Sequence, residues 1–303
     1  MRLLKPPRLR RGDTVGMVAP CLVMTPDYVE RAVARLEEMG FPVRLSPHFF
    51  SETFGYAGSV EERAADFNGM IADDSVKMLL FGGGEVANEL LPFLDYDAIR
   101  RHPKIICSYS DSTTLLNAIH CQTGLVTFYG ASPRTFDPLT AYNRQSFENR
   151  FLRGNTEYTA ASPWRTICPG ACEGVLTGGY LVNYATLYGL PWYPCAPHEK
   201  CLLFIEDHEM FSSPAVVAKY FANLAHRGAL DRAAGLIFGH YSQKSYPEID
   251  EILRRVGERY AIPVVRCEDF GHGDNNAVLP IGVSARLDAD GGTFTLLESG
   301  VTP

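Results

Sequence analysis

From Thr14 onward the chain repeats one alternation: a short apolar run, then a segment whose apolar residues recur every three or four positions. Val76 to Phe81, apolar apart from Lys77, has the composition of a strand covered on both faces, as strands of a parallel sheet are. Thr14–Ala19, Ile105–Ser108 and Leu125–Tyr129 read as further strands. Between them, Asp27–Met39 places Val29, Ala32, Val33, Leu36 and Met39 on one helical face and stops at Gly40. Ser59–Ala72 does the same with Val60, Ala64, Phe67 and Ile71. A short helix after Gly82-Gly83-Gly84 ends near Leu94, and another runs from Asp111 to about Cys121. This succession predicts a parallel sheet flanked by helices, of the flavodoxin or glutamine-amidotransferase kind.

The pattern weakens from Arg134 to Pro169, where Thr, Asn and Pro are frequent, with one helix expected around Ser146–Leu152. It then resumes with helices at Asn183–Tyr188, Ser213–Arg227 and Glu248–Tyr260, and strands at Cys201–Ile205, Gly235–Gly239 and Pro263–Arg266. A terminal hairpin pairs Val283–Leu287 with Thr293–Leu297 through Asp290-Gly291-Gly292. The 303 residues are ample for two cores. The expected organisation is an N-terminal α/β domain over 1–137, a linker over 138–169, and a C-terminal α/β domain with a mixed sheet over 170–303.

Composition narrows the function classes. A formal charge of −7 without a basic stripe argues against a nucleic acid polymer as partner. No apolar run approaches the roughly 20 residues that span a bilayer, and the opening Met1–Pro7 lacks the apolar stretch of a secretory signal. A cytoplasmic protein is therefore expected. The eight cysteines lack the spacing of a zinc site, with Cys168 and Cys172 four apart and Cys195 and Cys201 six apart, so neither metal nor disulfide is expected.

Three segments fall at strand ends, where open α/β sheets hold ligands. In Ile105 to Asn117 a strand runs directly into a helix, with Ser110 at the junction. That is the setting of a nucleophile elbow beside unpaired first-turn amides, although the G-x-S-x-G pattern is absent and Ser110 or Asp111 as a plain helix cap fits the same spacing. Gly82-Gly83-Gly84 allows backbone N–H groups close to a ligand, or simply makes a tight turn. A dinucleotide-binding oxidoreductase built on these glycines would need the complete G-x-G-x-x-G, which is missing. Gly271-His272-Gly273 presents an imidazole from a loop, and Glu206, ending the apolar run Leu203-Phe204-Ile205, can orient such a ring or meet solvent.

Together these segments resemble the LD-carboxypeptidase family of serine peptidases, which includes microcin C self-immunity proteins. The resemblance covers nearly the whole chain, through Arg11-Gly12-Asp13, Leu90 to Asp97, Tyr109-Ser110-Asp111, Thr127 to Gly130, Gly178-Gly179, Phe204 to Asp207, and Gly271-His272 through Leu279-Pro280-Ile281-Gly282. It implies Ser110 as nucleophile, His272 as general base and Glu206 as its orienting carboxylate, in a cleft between the domains. It also implies an oxyanion hole from the amide of Asp111 with that of Gly83 or Gly84, a homodimer, and no cofactor or metal. Three positions depart from the family's usual pattern and bear on the substrate pocket: Ser108 for glycine, Glu85 in the glycine turn, and Tyr180 where G-G-N-L is common.

Two substrates follow from the resemblance. One is a muropeptide-type tetrapeptide losing its terminal D-residue, the reading the short segment Pro133–Gly178 favours. The other is an aminoacyl-nucleotide whose base stacks on an aromatic residue, with Trp164 the candidate unless it packs under the linker. A non-catalytic binding module is the reading from another class, and it would have no need of Ser110, Glu206 and His272 together.

Overall fold

The computed structural model describes residues 2–303. In chain order the strands are β1 (Thr14–Met17), β2 (Val43–Leu45), β3 (Val76–Leu80), β4 (Ile105–Ser108), β5 (Thr127–Tyr129), β6 (Arg165–Cys168), β7 (Ala171–Tyr180), β8 (Cys201–Glu206), β9 (Ala233–Phe238), β10 (Val264–Arg266), β11 (Leu279–Ile281), β12 (Ser284–Asp288) and β13 (Thr293–Leu296). The helices are α1 (Pro26–Glu38), α2 (Val60–Ala72), α3 (Tyr96–Arg101), α4 (Thr113–Thr123), α5 (Ala141–Phe147), α6 (Leu181–Leu187), α7 (Pro214–His226) and α8 (Pro247–Tyr260).

Two sheets result, as the alternation predicts. The first has the order β11-β5-β4-β3-β1-β2 and is parallel except for β11. The second has the order β13-β12-β7-β8-β9-β10-β6, with a parallel centre (β7 to β10) and antiparallel strands at both edges. The helices form where the apolar spacing places them. α1 buries Val29, Ala32 and Leu36. α2 opens on a capping box, in which Ser59 Oγ accepts from the Glu62 amide and Glu62 Oε2 from the Ser59 amide.

Several elements differ from expectation. The segment after the glycine turn is a 3₁₀ helix, Ala87–Phe93, that accommodates Pro92. The helix expected at Ser146–Leu152 begins earlier, at Ala141, and continues as a wider turn to Arg153. Two strands cross the expected domain boundaries. Arg165–Cys168, placed in the linker, is the edge strand of the second sheet. Leu279–Ile281, from the C-terminal half, covers the exposed edge of β5 in the first sheet. The ten-residue β7 was not expected, because three glycines and a glutamate interrupt its pattern in Ala171 to Gly179; of those glycines Gly178 and Gly179 have positive φ.

That strand makes the seam between the two sheets. Gly178 has φ +139°, and a Cβ there would lie 1.9 Å from the Phe204 carbonyl oxygen. At Gly179 it would lie 2.4 Å from Thr113 Oγ1 at the start of α4. Without side chains at these two positions, Thr113 Oγ1 accepts from the Tyr180 amide at 2.8 Å and Asn117 Nδ2 donates to the Gly178 carbonyl at 2.9 Å. Gly178→Ala combines a disfavoured backbone with overlap against main chain, and is expected to cost at least about 2 kcal/mol in urea unfolding. Gly12→Ala is the control: its φ is also positive, at +95°, but nothing lies within 4 Å. Its loss should stay near the about 1 kcal/mol of backbone strain alone.

Candidate active site

The carboxyl ends of the parallel strands in both sheets face one cleft. β4 ends at Ser108, and two residues on Ser110 turns the chain into a 3₁₀ turn that leads into α4. Ser110 has φ +59°, one of three non-glycine residues with positive φ among the described residues. Such a backbone is strained by about 1–2 kcal/mol, and here it projects the hydroxyl from the junction, as in a nucleophile elbow. The Ser110 amide is held by the Tyr129 hydroxyl at 3.0 Å.

Across the cleft, Glu206 is the last residue of β8 and is wholly buried. Its Oε2 accepts from His272 Nδ1 at 2.8 Å, and its Oε1 from the Tyr129 hydroxyl at 2.5 Å. Since a carboxylate only accepts, Nδ1 of His272 carries hydrogen, and the neutral ring offers Nε2 as an acceptor. Nε2 lies 2.8 Å from Ser110 Oγ. Burial lowers the His272 pKa, but the charge and hydrogen bond of Glu206, with Asp207 behind it, raise it more, and the net shift is upward.

The loop that carries His272 is fixed from outside the strands. Asn143 Nδ2 donates to the Asp274 carbonyl at 3.0 Å, and Asn143 Oδ1 accepts from the Asn276 amide at 2.7 Å. Gly271, at φ +110°, brings this loop against Glu206: a Cβ there would lie 2.9 Å from Oε2. Nothing near Asn143 in sequence signals this role, and only the fold supplies its partners.

The glycine turn is pinned to the elbow at three places. Ser108 Oγ donates to the Phe81 carbonyl at 2.7 Å, and Ser112 Oγ to the Gly82 carbonyl at 3.0 Å. The buried carboxylate of Asp111 accepts from the Ala87 amide at 2.8 Å and from Asn183 Nδ2 at 2.6 Å. Burial pushes the Asp111 pKa up, and those two bonds oppose the shift. Gly83 then abuts the serine, where a Cβ would lie 2.5 Å from Ser110 Cβ, and at Gly84 it would lie 2.4 Å from the Cys21 carbonyl oxygen. Ser108, one of the three departures, is thus a tether for the turn.

Two adjoining cavities flank Ser110. One, of about 270 Å³, is bordered by Gly84, Glu85, Tyr180 and Asn183. The other, of about 400 Å³, runs past Gly83, Arg134, His208, Met210 and His272. Arg134 is exposed and is the one lysine or arginine bordering either cavity. Trp164 borders neither. Its Nε1 donates to Asp269 Oδ2 at 2.8 Å, and its ring stacks on Phe294 with Tyr158 at the edge. Among the described residues, no group of three or more His, Cys, Asp and Glu has the arrangement of a metal site, and no helix is long and apolar enough to cross a membrane. All eight cysteines are free.

Residues 15–130 match the model of the LD-carboxypeptidase N-terminal domain, and residues 173–287 that of the C-terminal domain. The chain belongs to the LD-carboxypeptidase family. It is similar to a probable murein peptide carboxypeptidase of Bacillus subtilis, at 34% identity over 98% of this chain and 95% of the relative. It is also similar to the microcin C7 self-immunity protein of Escherichia coli, at 31% identity over 95% and 94%. Among solved structures, that immunity protein's fold in complex with glutamyl sulfamoyl guanosine superposes with a TM-score of 0.88, at 28% identity, over 99% of this chain and 100% of that one. A muramoyltetrapeptide carboxypeptidase from Oxalobacter formigenes gives 0.81 at 26% identity, over 95% and 100%.

Asp207, beside Glu206, has a buried oxygen without a partner. Its Oδ1 accepts from the His208 amide at 2.8 Å, while the buried Oδ2 has no partner. Burial, partly offset by that amide, raises its pKa from the usual carboxylate value to about 7. The folded state therefore binds a proton that the unfolded state has released, and stability from this residue falls as pH rises from about 4 to about 7. Urea midpoints measured at pH 5 and pH 8 should differ less in Asp207→Asn than in the wild type.

Proposed function

We propose that the chain is a serine-type amide hydrolase acting next to a free carboxylate, as an LD-carboxypeptidase on muropeptide-type tetrapeptides. The observation that carries this reading is the unbroken contact from Ser110 Oγ through His272 to Glu206, opening on a cleft. His272 Nε2 takes the hydroxyl proton as Ser110 Oγ attacks the amide carbonyl. The oxyanion forms against the Asp111 amide and that of Gly83 or Gly84, held still by the tethered turn. The protonated imidazole, stabilised by Glu206, then gives its proton to the leaving amine, and water cleaves the acyl-enzyme by the same steps in reverse order of partners.

Arg134 supports the carboxypeptidase reading over the aminoacyl-nucleotide one. It offers a charge for a terminal carboxylate on the His272 side of Ser110, whereas Trp164, the candidate for stacking a base, is occupied by Asp269 and Phe294. The chain's likeness to the immunity protein keeps the second substrate in the test. A non-catalytic binding module gains nothing from a strained serine directed at an oriented imidazole.

Wild type and Ser110→Ala should be assayed on an L-Ala–D-Glu–diaminopimelate–D-Ala tetrapeptide and on an aminoacyl-sulfamoyl adenosine. Release of D-Ala by the wild type, reduced by several orders of magnitude in the variant, is expected. Cleavage of the adenosine compound alone moves the chain to the other substrate. Equal activity of the variant overturns the nucleophile. With the tetrapeptide and its C-terminal carboxamide in parallel, Arg134→Ala should raise KM for the free acid about tenfold and leave the carboxamide nearly unaffected.

A further inference from the structure

Glu206 is wholly buried and receives two hydrogen bonds, one from the His272 ring and one from the Tyr129 hydroxyl. The same hydroxyl accepts from the Ser110 amide. Tyr129 ends β5 in the first sheet and Glu206 ends β8 in the second, so a single oxygen joins the two halves of the site. Tyr129 is itself fully buried, its ring tilted against Phe204 at 5.5 Å, and it borders neither cavity.

We propose that Tyr129 is a positioning residue of the hydrolytic centre, which through one hydroxyl holds Ser110 in its left-handed backbone conformation and supplies the second donor to Glu206. The inference rests on the functional reading above. Geometry sets the direction of each bond. The phenol has one hydrogen, the carboxylate can only accept, and the Ser110 amide can only donate, so the hydroxyl gives its hydrogen to Glu206 and its lone pair to Ser110. The Ser110 amide is thereby spoken for, which leaves an oxyanion to the neighbouring Asp111 amide and the glycine turn. Removing the hydroxyl strands an N–H beside the nucleophile and a carboxylate oxygen in a dry interior, at no cost to the substrate's own contacts.

Tyr129→Phe retains the ring and removes only this oxygen. Its kcat should fall about 10- to 100-fold, with KM within about twofold. With one donor fewer, Glu206 places more negative charge on His272, and the imidazole should titrate at higher pH than in the wild type. The acid limb of the kcat/KM profile should move with it. ¹⁵N NMR titration of His272 reads this shift without any substrate, and thermal unfolding shows that the variant is folded. If Tyr129 acts through Glu206, its effect should shrink in a Glu206→Gln background.

An unchanged His272 titration together with unchanged kcat in Tyr129→Phe overturns the proposal, as does a loss in kcat of the same factor with and without Glu206→Gln. The failure of the functional reading looks different: a fluorophosphonate would then fail to label Ser110 in the wild type, while the NMR titration still reports on the Tyr129 contact.

Discussion

A carboxylate at the end of a central strand, sealed from water, is the constraint around which this molecule is arranged. Ionised Glu206 in an apolar setting is costly unless each oxygen finds a donor. One donor, His272, comes from a loop 66 residues further along the chain, and the other, Tyr129, from the opposite sheet 77 residues before it. Neither can reach unless the strand ends of the two sheets converge. Convergence in turn requires the close seam at Gly178 and Gly179, where α4 meets β7. The position of the acid thus depends on backbone packing that carries no charge at all.

The cleft shows the same dependence in the other direction. The Ser110 backbone is strained, and the glycine turn has no side chains of its own to define it. Both are fixed by buried polar groups: Ser108 and Ser112 on the carbonyls of the turn, Asp111 on its far amide, Asn143 on the histidine loop. Buried polar groups with all partners in place specify one arrangement and resist others, and a site with this many tethers keeps its geometry before substrate arrives.

Much of this is legible in the sequence wherever the signal is local. α1, α2, β4 and β8 carry self-contained apolar patterns, Ser110 and Glu206 fall at the ends of β4 and β8, and His272 is marked by the glycines that frame it in a loop. Residues whose meaning lies in a distant partner are not legible. Tyr129 is an ordinary strand tyrosine until Glu206 is beside it, and Asn143 an ordinary helix residue until the 274–276 loop folds over it. β7 is hidden because its closest contacts call for glycine, which reads as a break. β11 is hidden because three residues including a proline make no pattern, although as an edge strand paired on one side only they tolerate it. Trp164 shows the opposite difficulty, a conspicuous residue whose indole serves packing with Phe294.

The strand Leu279–Ile281 has a consequence for how the molecule comes into being. It completes the first sheet alongside β5, about 150 residues earlier in the chain, and it follows directly after the loop that delivers the imidazole. On a ribosome the N-terminal half therefore emerges with its β5 edge bare and Ser110 without His272 beside it, and it stays so until residues 272–281 have been made. The closing of that edge and the arrival of His272 are one event. A fold built this way keeps Ser110 and His272 apart until the strand that closes the first sheet is in place.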